Sequence, residues 1–71
     1  MEIRKEYYKY LKNELGFRKT NIKNAWNLAQ KDYPRASRFT LEVMTRDILT
    51  DFDAYREKTN RMKESRLIIS N

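Results

Sequence analysis

Apolar side chains recur along this chain at steps of three and four, and the recurrence is reset near Gly16, Pro34 and Thr50. Ile3, Tyr7, Tyr10, Leu11 and Leu15 form one stripe and predict an amphipathic helix over about residues 2–15, with Glu2 and Glu6 at its positive end. Gly16 follows the last apolar residue, where a left-handed residue commonly ends a helix. Ile22, Ala25, Trp26, Ala29 and Tyr33 predict a second helix over about 20–33, capped by Thr20 or Asn21. The small Ala25 and Ala29 let another helix approach closely beside Trp26. Pro34 ends this helix, because the residue before a proline is pushed out of the α region.

Ser37 is placed to cap a third helix over about 38–49, with Leu41, Met44, Ile48 and Leu49 facing inward. Thr50-Asp51-Phe52-Asp53 fits a capping box, which predicts a break near Thr50 and a fourth helix over about 51–65. That helix would bury Phe52, Tyr55 and Met62. The alternative is one long helix from 38 to 65, since Leu41, Ile48, Tyr55, Met62 and Ile69 are spaced by seven. A coiled coil needs a second apolar row, however, and Met44, Asp51, Lys58 and Ser65 do not supply one. An ordinary amphipathic helix, single or divided, is the better reading.

One glycine and one proline in 71 residues leave room only for helices joined by short turns. The expected fold is therefore all-α, a compact bundle of three to four short helices forming a single domain over 1–71. Residues 66–71 are expected to form a flexible tail, with Leu67, Ile68 and Ile69 docked on the bundle or offered to a partner. A chain of this size buries roughly 60% of the surface its unfolded form exposes. No apolar run approaches the ~18 residues of a membrane span, and the first residues do not open a signal peptide, so a cytoplasmic protein with no membrane partner is expected.

The composition argues against catalysis. With neither His nor Cys, the commonest acid–base group, the commonest metal ligand and any thiolate nucleophile are missing. Glu42, Asp47, Asp51 and Asp53 form the densest acidic group, and the plain reading is a solvated face. No glycine loop cradles phosphate. No enzyme activity, metal site, cofactor or small-molecule substrate is expected.

Charge is more informative. The net charge is +6, and residues 1–40 carry ten Lys and Arg against four Asp and Glu, while residues 41–71 carry six of each. Arg18, Lys19, Lys23, Lys31, Arg35 and Arg38 give six positive charges between Leu15 and Thr40 against Asp32 alone. Lys19, Lys23, Asn27 and Lys31 step by four and can line one edge of the second helix. Arg35 and Arg38 flank the start of the third, where backbone N–H groups favour phosphate. These seven residues are the candidate nucleic-acid contacts, with DNA favoured over RNA and phosphates contacted without strong base readout. An ordinary solvated surface is the plain alternative.

A second function is a protein–protein adaptor or inhibitor. Phe17 would serve as an exposed anchor, and Glu42, Asp47 and Asp51 as an acidic strip meeting the basic junction of another copy. The chain would then be a monomer or a weak homo-oligomer.

Tyr7-Tyr8-x-Tyr10-Leu11, Ile22 with Ala29 and Asp32, Tyr33-Pro34-Arg35-x-Ser37, Glu42-Val43 and Phe52-Asp53-Ala54-Tyr55 resemble the motifs of the YozE family. These are small proteins of Gram-positive bacteria with a fold like the sterile alpha motif, and the resemblance spans roughly residues 7–56. It implies a bundle of four or five helices without enzymatic activity. It carries over a fold rather than a mechanism, because that family has no established function.

Overall fold

Leu11, Ile22, Ala25, Trp26, Ala29, Leu41 and Tyr55 are withdrawn from water, and their helical spacing sets how the elements meet. A computed structural model describes the backbone of residues 1–70 and the side chains of residues 1–63. Four α-helices follow one another: α1, Lys5–Lys9, α2, Lys19–Asp32, α3, Arg38–Thr50, and α4, Phe52–Ser70. No strand occurs among the described residues, so the chain is an all-α bundle as its periodicity predicts.

The α2–α3 pair is the centre of the fold and makes the most extensive packing. Trp26 and Ala29 of α2 lie against Leu41 of α3, with Ile3, Tyr33, Ala36, Met44 and Ile48 around them. The methyl of Ala29 is fully buried, which is why a small residue is needed where the helices come together. Pro34 separates the two as expected: α2 stops at Asp32, and Tyr33 leaves the helical region at φ −130°, ψ 66°. The Ser37 hydroxyl then accepts from the Thr40 N–H at 3.2 Å, the predicted cap of α3.

The predicted first helix is present but wound differently. α1 runs without a break into a wider π-type turn, Tyr10–Glu14, in which the Leu15 N–H reaches back five residues to the Tyr10 carbonyl at 3.2 Å. The extra residue per turn swings Leu15 off the apolar stripe. Leu11 is buried, whereas Tyr10 and Leu15, both expected inside, are exposed. Tyr10 instead rests on Tyr7, ring centres 5.7 Å apart. Gly16 closes the segment at φ +77°, and the Phe17 N–H bonds the Leu11 carbonyl at 3.0 Å. The lone glycine is needed there because a side chain disfavours that backbone angle, not because space is short.

Two caps differ from expectation. Thr20 and Asn21 lie inside α2, and Arg18 occupies its N-cap position without a side-chain bond. At the α3–α4 break, Thr50 is the last residue of α3, and its hydroxyl donates to the Arg46 carbonyl. Asp51 is the cap instead: its Oδ1 accepts from the Ala54 N–H at 3.1 Å, and its extended backbone divides α3 from α4. The single long helix is thereby excluded. The α4 backbone continues to Ser70, beyond the predicted end, while the side chains of Leu67, Ile68 and Ile69 lie outside the described residues.

Tyr55 is the buried hydrophobic residue of α4 among the described residues, and it ties α4 to the end of α2. Its hydroxyl donates to Asp32 Oδ2 at 2.8 Å, and Lys63 Nζ lies 3.5 Å from Asp32 Oδ1. Burial first, and then the bond to Asp32, push the Tyr55 phenol well above its ordinary range. Tyr33 meets Tyr55 edge-on and shares a 2.8 Å hydrogen bond with the buried Thr59. Phe52 and Met62, expected inside, are exposed at 41% and 40% because Tyr55 and Thr59 take the inward positions.

Candidate functional site

The N-terminal residues are tied to the core at two points, and both shape the charged surface. The Trp26 indole N–H donates to the Met1 carbonyl at 3.0 Å, drawing the first residues alongside α2. Arg4 then grips Glu42 with two prongs, Nε to Oε2 at 2.9 Å and Nη2 to Oε1 at 2.7 Å. The Glu42 side chain is 1% exposed and that of Arg4 is 41% exposed. Glu42 therefore does not belong to an exposed acidic strip. The pairing spans 38 residues and brings an N-terminal cation to an inward-facing acid, which corrects its expected partner role.

On α2 the expected cationic edge is exposed. Lys19, Lys23 and Asn27, with Met1, Ile3, Tyr8 and the exposed Glu2, line a cleft of about 340 Å³ that also reaches Ile22 and Trp26. Lys31 continues the row but stands outside this cleft, because each step of four turns about 40° around the helix. Arg35 and Arg38 are exposed on either side of Ser37, and Arg18 stands at the opposite end of α2, about 20 Å along the axis from Asp32. Among the described residues none of these six cations forms an ion pair. The structure thus places Lys19, Lys23 and Asn27 on one edge and exposes Arg35 and Arg38 at the α2–α3 turn, with Lys31 between them in sequence.

Phe17, expected to be an exposed anchor, is half-buried and lines a groove with Asn21, Leu28, Ile48, Leu49 and Phe52. Asp47 is half-buried and Asp51 is exposed, and both border a hollow with Lys58. The most exposed aromatic among the described residues is Phe39, at 71%. Its signal lay in helical spacing: it stands four residues before Val43 and seven before Arg46, away from the buried Leu41 and Thr45.

Among the described residues no helix is long and apolar enough to cross a membrane. No group of three or more metal-ligating residues is gathered among them. No family model matches the chain, and comparison with curated proteins and with solved structures finds no match.

Proposed function

We infer that this chain is a small, non-catalytic helical module that binds nucleic acid, DNA in preference to RNA, mainly through phosphates. The observation that carries this reading is that Lys19, Lys23, Lys31, Arg35 and Arg38 are exposed and form no ion pair among the described residues. Asp32 is engaged by Tyr55 and Lys63, and Glu42 is sequestered by Arg4. Glu2 lines the same cleft as Lys19 and Lys23 without pairing with either, so the surface stays net positive, and a polyanion suits the α2 edge and the Arg35 and Arg38 pair beyond it. We read residues 7–56 as YozE-like in fold, which assigns no ligand.

Titration of labelled duplex DNA at several salt concentrations tests the reading. Five phosphate contacts predict a slope of log affinity on log salt of about −4.5. Replacing Lys19, Lys23 and Arg35 together by alanine should flatten it to about −2. An unchanged slope, or the absence of binding at low salt, removes the proposal.

The groove of Phe17, Leu28, Leu49 and Phe52 favours a second reading, a protein–protein adaptor that associates with itself. Sedimentation velocity should then show mass rising with concentration, and Phe52→Glu should return the protein to monomer. A single monomeric species up to millimolar concentration argues against it.

A further inference from the structure

The geometry points to unpaired bases as the ligand of the turn bearing Arg35 and Arg38, with Phe39 as the surface on which a base stacks. This inference rests on the nucleic-acid reading above and adds to it the form of the strand.

A single exposed apolar residue is ordinary on a protein surface. Phe39 is distinguished by what surrounds it. It is the most exposed of the large hydrophobic side chains. Most other rings among the described residues have partners, Tyr7 with Tyr10, Tyr33 with Tyr55, Phe52 with Tyr55 and the Arg56 guanidinium, and Trp26 in the core, while Tyr8 and Phe17 lack a ring partner but are half-buried. Phe39 has neither an aromatic nor a cation–π neighbour among them. It is also well anchored at its base, since the Ser37 cap and the Tyr33 N–H bond to Ala29 fix both sides of the α2–α3 turn.

The electrostatics select the ligand. From Tyr33 to Leu41 the chain carries Arg35 and Arg38 and no acid, and Arg46 follows two turns along the same side of α3. The bounding acids, Asp32 and Glu42, are already bonded to groups of their own. A flat apolar ring flanked in sequence by Arg35 and Arg38, neither of which forms an ion pair among the described residues, matches a ligand with alternating planar and anionic parts. A duplex hides its base faces and would have to be wedged open at a cost of a few kcal/mol, whereas a single strand presents them freely. An anionic membrane would ask for a broader apolar face, and Val43, the next outward residue, is half-buried.

The test compares a 15-nucleotide mixed-sequence single strand with the matching duplex at equal salt, using the full chain and fluorescence anisotropy. The single strand should bind more tightly, and Phe39→Ala should weaken it by about 5- to 100-fold while leaving its salt slope unchanged. The same variant should bind duplex as the parent does. Phe39→Trp should retain binding and add fluorescence quenching on contact with the strand, above that of the buried Trp26. Circular dichroism melts should show both variants folded, because Phe39 contributes little burial. If both nucleic acids bind with a steep salt slope but Phe39→Ala changes nothing, stacking is overturned and phosphate binding stands. Tighter binding to duplex also overturns it. If neither binds, the nucleic-acid reading falls and this one with it. Binding to phosphatidylserine vesicles alone assigns the ring to a membrane and overturns both.

Discussion

Trp26→Ala should leave the protein largely unfolded at 37 °C. The indole is 5% exposed and touches both helices of the central pair, so its removal opens a cavity that Ala25 and Ala29 are too small to fill. Such truncations cost about 3–5 kcal/mol. A domain of 71 residues has about 4–10 kcal/mol in all, so one substitution removes a large part of the margin. The midpoint of thermal unfolding should fall by on the order of 20 °C. Far-ultraviolet circular dichroism is the suitable readout, because the variant loses the only tryptophan of the chain. Trp26→Phe keeps most of the buried ring and loses the bond to the Met1 carbonyl, and it should cost about 1 kcal/mol. An alanine variant melting within a few degrees of the parent would show that the α2–α3 contact does not hold the fold.

The second large effect is an asymmetry in the Arg4–Glu42 pair. Removing the exposed partner should hurt more than neutralising the buried one. Arg4→Met leaves a carboxylate that is 1% exposed without its guanidinium, and a charge in that position cannot recover its hydration. The expected drop in melting temperature is on the order of 10 °C. Glu42→Gln keeps the shape and leaves behind an arginine already 41% exposed, which water can solvate, so its drop should be clearly smaller. The double variant Arg4→Met/Glu42→Leu should recover most of the loss, since paired apolar replacements of buried ions are commonly neutral or favourable. Equal losses from the two single variants would mean that the burial of Glu42 does not govern the energetics.

These two features differ in how far the sequence discloses them. The core position of Trp26 follows from local spacing and the Pro34 stop, which depend only on residues within a few turns. The same logic places all four helices, the Ser37 cap and the positive φ of Gly16. The fate of Glu42 depends on a partner 38 residues away, and no local pattern encodes that meeting. Tyr10 and Leu15 mislead for another reason: a stripe drawn at 3.6 residues per turn fails where the backbone winds more widely, and nothing in Tyr10–Glu14 announces that winding. Phe17 is half-buried where an exposed anchor was expected, because its N–H bonds back to the Leu11 carbonyl at the end of the first helical segment. Of the candidate cations, the edge of α2 was legible as a helical row. The bonds that occupy Asp32 and Glu42 were not.

The short connections between helices have a kinetic consequence. α2 and α3 are joined by residues 33–37, and α3 and α4 by Asp51 alone, so the largest packing surfaces form between sequence neighbours. Little chain entropy is lost in bringing such neighbours together, and helical domains of this kind reach the native state in microseconds to milliseconds. The Arg4–Glu42 pair spans 38 residues, the widest side-chain bond among the described residues, so docking of the N-terminal strap should come late on the route. Synthesis delivers that strap before α3, so it waits for its acceptor before it has anywhere to settle.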